Sequence, residues 1–141
     1  MNYDNLCIEY ENEVNIIECN LEKECERLGI YGMKGLYADG NIALEKSMTY
    51  IHKKCKLAEE IGHYYTTSGN ILDMRIPNNR KQERRAREWG ANKVIKYNKF
   101  IRACNMYDNI YQIADELEVT YDTVEAYYNY LYRTYAVSNR E

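Results

Sequence analysis

Apolar residues early in the chain recur at both helical and strand spacings, and they predict a small mixed unit of helices and strands. Helical spacing predicts a first helix from Asn2 to about Asn12, and the β-branched stretch from Val14 to Cys19 predicts a strand. One or two further helical turns are expected over residues 21–28, ending at Gly29, which suits a left-handed cap. Asp39-Gly40 separates two short apolar runs. This pattern predicts an antiparallel hairpin with a type I′ turn.

The residues after this hairpin show longer helical patterns. A broad apolar face predicts a helix from about Met48 to Tyr65, with Ser47 as its N-cap. The only proline, Pro77, lies in the segment from Thr66 to Asn79, where we expect a loop. Four more helices are predicted, over residues 80–97, 100–104, 110–117 and 123–135, with a tight turn at residues 118–120.

These elements together predict an α+β fold. A small antiparallel hairpin, or a three-stranded sheet, would lie beside the helix at residues 48–65, and the carboxy-terminal part would be helical. The chain of 141 residues has the size of one domain, and 45% hydrophobic with 29% charged residues is a globular balance. One compact unit is therefore expected.

Charge, cysteine usage and hydropathy narrow the classes of function. The formal net charge of −3 gives no overall attraction to nucleic acid. The five cysteines form an odd set without a CxxC pair, and no charged-then-apolar leader precedes them. We therefore expect reduced thiols in a cytoplasmic protein. No apolar run approaches the roughly 20 residues that span a bilayer, so no membrane insertion is expected.

Residues 59–63, which read EEIGH, have the register of a metallopeptidase helix. In an HExxH helix, two ligands at positions i and i+4 share one face, and the intervening glutamate is placed to deprotonate the metal-bound water. Here Glu59 and His63 form the i, i+4 pair, and Glu60 has the position of the general base. A carboxylate binds Zn²⁺ at roughly 2.0–2.2 Å, so Glu59 is a candidate ligand. The competing interpretation of this motif alone is a solvated acidic face with a satisfied histidine.

A further carboxylate on the next predicted helix strengthens the metal interpretation. Glu83 is followed by Ala86 three positions later, and then by Trp89 and Gly90. Small residues on neighbouring faces allow this helix to press closely on the first one. Such an approach would bring the Glu83 carboxylate to the metal as a third ligand.

The segments EEIGH (59–63) and ERRAREWG (83–90) resemble the ImmA/IrrE family of phage and mobile-element zinc metallopeptidases. Members of that family pair an HELGH-like helix with a later helix of the form E-x-x-A-x-x-F-A. The resemblance implies that His63 and Glu83 are metal ligands and that Glu60 is the general base. Glu59 stands where the first histidine ligand would be. A metallopeptidase-like domain over residues 1–105 is implied, with residues 106–141 as a helical pair packed on it in one compact unit.

The resemblance further implies a metal-dependent endopeptidase that acts on a cytoplasmic regulatory protein, such as a helix-turn-helix repressor of a phage or mobile element. The metal would be Zn²⁺, or Mn²⁺ because an oxygen-rich ligand set favours a harder ion. Two carboxylates and one neutral imidazole would cancel the charge of the ion and weaken it as a Lewis acid. The first alternative is therefore an interaction protein of the same fold that binds a regulator or host protein without cleaving it.

A second alternative is a DNA-binding regulator that uses residues 110–135, where the pattern resembles a helix-turn-helix. A recognition helix begins with residues such as Arg, Lys, Asn or Gln that contact bases. The second helix here begins Tyr121-Asp122-Thr123 and continues through Glu125, whose charge phosphates would repel. Packing is thus favoured over DNA recognition, and direct nucleic-acid binding is not expected.

Overall fold

The computed structural model of the protein describes residues 1–66 and 77–138. Within these ranges the chain forms three strands and seven helices. Strands and short helices alternate in the amino-terminal part, and from Tyr50 onward the described residues form only helices and their connections. The elements are α1 (Tyr3–Tyr10), β1 (Asn15–Cys19), α2 (Leu21–Glu26), β2 (Gly35–Ala38), β3 (Asn41–Glu45), α3 (Tyr50–Thr66), α4 (Pro77–Val94), α5 (Tyr97–Met106), α6 (Ile110–Leu117) and α7 (Tyr121–Ser138).

The three strands form one mixed sheet in the order β1-β3-β2. β2 and β3 are the predicted hairpin: they pair antiparallel, and Asp39 and Gly40 between them have φ values of 48° and 79°. Positive φ at both central positions is what a type I′ turn requires. β1 pairs with β3 in parallel, with Ile16 opposite Ile42, so only the hairpin part of the sheet is antiparallel. The predicted α+β class with a helical carboxy-terminal part is confirmed.

One core lies between the sheet and α3 and fixes the position of that helix. Ile42 and Leu44 alternate toward the same face of β3, as the two-residue period of a strand requires, and neither has exposed surface. Leu57 and Ile61 lie one turn apart on α3 and are equally buried in this core. Full burial of each such side chain contributes roughly 1.5–3 kcal/mol. The helix that carries the EEIGH segment therefore has a rigid support.

A second core joins the carboxy-terminal helices to α3 and α4. Lys54 on α3 is itself buried, and its Nζ donates to the backbone carbonyl oxygen of Glu118 at 2.5 Å. Glu118 ends α6 in the left-handed region, with a φ of 54°, so the ammonium group meets the negative end of that helix. The buried members of this core are Cys55, Ala91, Ile95, Phe100, Ala103, Ile113, Ala114, Val119, Val124 and Tyr127. The division of the chain into a metallopeptidase-like domain up to residue 105 and a helical pair after it stays a prediction.

The predicted start of α3 is wrong by two residues, because α3 begins at Tyr50 and Ser47 is not its N-cap. Thr49 has that place, since its Oγ1 accepts from the backbone N–H of His52 at 3.3 Å. The backbone N–H of Ser47 donates instead to the carboxylate of Glu45 at 2.9 Å, which holds Ser47 in the turn after β3. Serine and threonine are both good caps, and only the preceding turn decides between them.

The predicted bounds of the next helix are also wrong, because α4 begins at Pro77 rather than Arg80 and ends at Val94 rather than Tyr97. Proline is favoured in a first helical turn, since it lacks an N–H that a helix start leaves unpaired and its φ is preset. The predicted loop therefore loses its last residues to α4. Its residues 67–76 lie outside the described ranges.

α5 and α7 are both longer than predicted, because the apolar pattern marks only the buried turns of a helix. α5 buries Phe100 and Ala103, yet it extends beyond the predicted residues 100–104 on both sides. α7 begins at Tyr121, two residues before the predicted start, because Thr120 caps it. The Thr120 Oγ1 accepts a hydrogen bond from the backbone N–H of Thr123 at 3.3 Å. α6 has the predicted bounds.

Candidate metal centre

Two glycines let α3 and α4 contact each other backbone to backbone. A Cβ atom at Gly62 would lie only 2.3 Å from the carbonyl oxygen of Ala86. One at Gly90 would lie 2.8 Å from the backbone nitrogen of Glu59. The close helix approach that the small residues of α4 predict is therefore present, and side chains that flank this contact on the two helices come together.

The four candidate site residues lie at this contact. Glu59, Glu60 and His63 on α3 each offer a ligand atom, and these atoms all lie within 4.8 Å of one another. Glu83 on α4 joins the group through His63, because its Oε2 lies 2.9 Å from His63 Nε2. Glu60 and His63 are almost fully buried, while the side chains of Glu59 and Glu83 are 17% and 14% exposed. The structure brings all four together, and their roles as ligands or base stay predictions.

Glu60 is the most enclosed carboxylate of this group. β2 covers it, since a Cβ atom added at Gly35 would lie 3.1 Å from Glu60 Oε1. Burial raises the pKa of Glu60 to about 7, with the positive charge of His63 opposing the rise and the negative charge of Glu59 adding to it. A carboxyl group with this pKa can take up and release a proton near neutral pH, as a general base must.

The other three groups of the site are linked by hydrogen bonds that set their charges. Burial raises the pKa of Glu59, and Lys56 opposes that rise. Burial acts in the same direction on Glu83, but its hydrogen bonds with His63 and Glu59 outweigh it and hold the pKa of Glu83 at about 2. Burial lowers the pKa of His63, but its hydrogen bond with Glu83 and the negative charges of Glu60, Glu83 and Glu59 together outweigh burial, so the His63 pKa is raised. Glu83 is therefore ionised at neutral pH, next to a histidine that binds its proton more firmly.

Two cationic side chains that the sequence motifs did not indicate contact these carboxylates. Lys56 Nζ lies 3.2 Å from Glu59 Oε2. Arg87 Nε lies 3.5 Å from Glu59 Oε1 and 3.3 Å from Glu83 Oε1. Part of this signal is in the sequence, because Lys56 and Glu59 have i, i+3 spacing and Glu83 and Arg87 have i, i+4 spacing. That Arg87 reaches Glu59 on the neighbouring helix follows only from the packing.

A cleft of about 830 Å³ lies beside the site. Glu59, Glu83 and Arg87 line the part of the cleft formed by α3 and α4, and Asp122 and Glu125 line it from the start of α7. A space of this size accommodates several side chains of a bound peptide. Glu59 and Glu83 are thus open to a ligand in the cleft, and α7 forms one wall of the approach to them.

The family model of the IrrE N-terminal-like domain, a peptidase family, matches residues 13–127. The chain belongs to this family. The matched region begins just before β1 and ends within α7, so it contains both helices of the candidate metal centre. The resemblance to the ImmA/IrrE family is thereby confirmed. No curated protein and no solved structure matches the chain.

IrrE N-terminal-like peptidases are typically metallopeptidases, and the donor atoms of this member fit a divalent cation. Carboxylate oxygens and imidazole nitrogens are ligands of Zn²⁺ and of Mn²⁺. Such atoms converge here in Glu59, Glu60 and His63. Burial is the main cause of the raised pKa of Glu60, and a cation would relieve the smaller contribution that repulsion by Glu59 and Glu83 makes to it. None of the described helices of this family member is long and apolar enough to cross a membrane.

Proposed function

We propose that the chain is a metal-dependent endopeptidase. Glu59, His63 and Glu83 hold the metal, and Glu60 is the general base. The observation that supports this proposal is the convergence of these four side chains at the α3–α4 contact, in a chain that belongs to a peptidase family. We propose Zn²⁺ as the metal, and Mn²⁺ as the alternative ion that an oxygen-rich ligand set also suits.

In the proposed reaction, Glu60 moves the proton. A bound divalent cation supplies Lewis-acid polarisation of the scissile carbonyl and makes water more acidic. Glu60 accepts a proton from the attacking water and passes it to the leaving amine as the C–N bond breaks. Burial brings the pKa of Glu60 to about 7, which suits one carboxyl group for both transfers. Gly35 leaves room for this carboxylate beneath β2, where a larger residue would crowd it.

The substrate we propose is an extended segment of a cytoplasmic regulatory protein, such as a helix-turn-helix repressor of a phage or mobile element. The choice of a regulator rests on the family resemblance. The position of β2 supports an extended substrate segment. In the described sheet β2 is an edge strand that pairs with β3 on one side, and it lies beside Glu60. A peptide strand can pair with such an edge through its main chain, and the cleft then receives its side chains.

The second candidate function is binding of a regulator or host protein without cleavage. One observation favours it: Lys56 and Arg87 already contact the carboxylates that a metal would need. In that case the cleft alone serves as the binding surface, and Glu60 has no proton to transfer.

Hydrolysis of a quenched fluorescent library of short random peptides separates the two functions. The Zn²⁺-loaded wild type is expected to cleave the library, and Glu60→Gln is expected to abolish cleavage, because glutamine cannot accept the proton. Glu116→Gln removes an exposed carboxylate on α6 and should keep full activity. No cleavage by the metal-loaded wild type, or equal cleavage by wild type and Glu60→Gln, would contradict the proposed mechanism.

A further inference from the structure

Five side chains form a continuous row across the candidate metal centre, in which basic groups alternate with carboxyl groups. Lys56 Nζ contacts Glu59 Oε2 at 3.2 Å, and Arg87 Nε contacts Glu59 Oε1 at 3.5 Å. The same Arg87 nitrogen lies 3.3 Å from Glu83 Oε1, and His63 Nε2 lies 2.9 Å from Glu83 Oε2. Both oxygens of each expected carboxylate ligand are therefore already in contact with a cationic or proton-donating group.

We infer that Arg87 is the resident counter-ion of Glu59 and Glu83, and that a divalent metal binds by displacing its guanidinium group. This inference rests on the proposed metal site. The two cations compete because they need the same carboxylates, one carried by α3 and one by α4. A guanidinium group keeps its charge throughout the accessible pH range, so proton loss cannot remove it and it must move away.

The structure gives Arg87 a route out of the site. Its side chain is 58% exposed, in contrast to 17% for Glu59 and 14% for Glu83, and it lines the open cleft. The carboxylates are thus held between two packed helices, while the guanidinium group is held mainly by its ion pairs. Exposed ion pairs contribute little energy each, so exchange of Arg87 for a doubly charged ion is feasible.

Glu59 has a second role in this arrangement, which explains why a carboxylate suits this position. A neutral histidine at position 59 would offer Arg87 and Lys56 no negative charge to pair with. Glu59 can pair with both cations when no metal is bound, and it can serve as a ligand when the metal replaces Arg87. The exchange of the usual histidine for Glu59 is therefore matched by Arg87 and is not simply the loss of a ligand.

Competition for Zn²⁺ against a chromophoric chelator tests the inference directly. Arg87→Gln is expected to bind Zn²⁺ roughly tenfold more tightly than wild type, since one positive charge close to a divalent ion is worth about that factor even in a water-like dielectric. Arg85→Gln is the matched control, because Arg85 is exposed on the same helix but does not line this cleft. At about 0.15 M salt the charge of an exposed side chain outside the cleft is largely screened, so the affinity of Arg85→Gln for Zn²⁺ should equal that of wild type.

Thermal unfolding of the chelator-treated protein tests the counter-ion role without any metal. Arg87→Gln is expected to lower the melting temperature by roughly 2–4 °C, as for loss of a partly exposed ion pair. In a Glu59→Gln background the same substitution should have a clearly smaller effect, because one of its two partners is already neutral. An equal effect of Arg87→Gln in both backgrounds would show that Arg87 and Glu59 do not interact.

The outcomes separate this inference from the proposed function. Tighter Zn²⁺ binding by Arg87→Gln, with unchanged binding by Arg85→Gln, supports the competition. Equal or weaker binding by Arg87→Gln overturns the competition, while Zn²⁺ binding by the wild type would leave the proposed site standing. No binding by any of the three proteins overturns both.

Discussion

Gly62→Ala is the substitution for which the structure gives the clearest consequence. An alanine in the middle of a helix is normally more stable than a glycine by roughly 0.5–1 kcal/mol. Here the added Cβ atom would lie 2.3 Å from the backbone carbonyl oxygen of Ala86, and Cβ contacts essentially never fall below 3.0 Å. α3 and α4 must therefore separate locally by at least about 0.7 Å, since no side-chain rotation can relieve a clash with backbone.

The expected loss of stability follows from that separation. Overpacking a close contact costs typically 1–3 kcal/mol, and a backbone clash falls at the upper end of that range. After subtracting the gain in helix propensity, we expect Gly62→Ala to be about 2 kcal/mol less stable. For a chain of this size that corresponds to a melting temperature roughly 6 °C lower. His63, the next residue, should also move away from Glu83, so metal affinity should fall as well.

Gly90→Ala is the matched control for this prediction. Its Cβ atom would lie 2.8 Å from the backbone nitrogen of Glu59, so the helices need to move by only about 0.2 Å. The gain in helix propensity should offset most of this smaller clash. Urea unfolding of both variants is the assay. Gly62→Ala with wild-type or higher stability, or equal destabilisation by both substitutions, would refute the reasoning about the helix contact.

Three further predictions concern the charged groups of the site and its support. Glu60 has a folded-state pKa of about 7, above its ordinary value of 4.5, so its contribution to stability is complete below about pH 4.5 and is lost as pH rises through 7. The free energy of unfolding of the chelator-treated wild type should therefore fall by on the order of 3 kcal/mol between about pH 5 and pH 8, relative to that of Glu60→Gln. Parallel stability profiles of the two proteins over this pH range would contradict the raised pKa. Glu59→His restores a ligand set of two histidines and one carboxylate, so it should increase the affinity for Zn²⁺ in a chelator competition. Glu59→Ala should decrease that affinity, and equal affinities of wild type and both variants would exclude Glu59 as a ligand. Lys54→Met keeps the apolar stem but removes the ammonium group that donates to the carbonyl oxygen of Glu118. Urea unfolding should therefore show a free energy of unfolding lower by roughly 1–3 kcal/mol. An unchanged unfolding midpoint would mean that this hydrogen bond contributes nothing to stability.

The features that the sequence predicts correctly are those with local causes. The hairpin follows from Asp39-Gly40, because a turn with two positive φ values selects such residues whatever surrounds it. The common face of Glu59 and His63 follows from the helical repeat alone. The ends of helices are harder to predict from sequence. Ser47 and Thr49 are both good caps, but Ser47 lies in the turn after β3, where its backbone N–H binds the Glu45 carboxylate, and Thr49 caps α3.

The features that the sequence does not predict depend on how distant segments pack. The parallel pairing of β1 with β3 is set by the route of the chain from β1 through α2 and back to the sheet. The apolar pattern predicts helical turns over residues 21–28, but it does not predict that route. Likewise, the i, i+4 spacing of Glu83 and Arg87 indicates an ordinary surface pair on one helix. Only the close contact of α3 with α4, at both Gly62 and Gly90, places Arg87 against Glu59 on the neighbouring helix, where its charge bears on metal binding.

The amount of Zn²⁺ bound per chain at equilibrium, measured by elemental analysis after dialysis, tests the proposed metal site most directly. We predict a single ion per chain in the wild type and in the Glu116→Gln control, and loss of that ion in His63→Ala and in Glu83→Ala, because each removes one of three ligands. Absence of Zn²⁺ from the wild type, or full retention of it in both His63→Ala and Glu83→Ala, would contradict the assignment of the metal site to these residues.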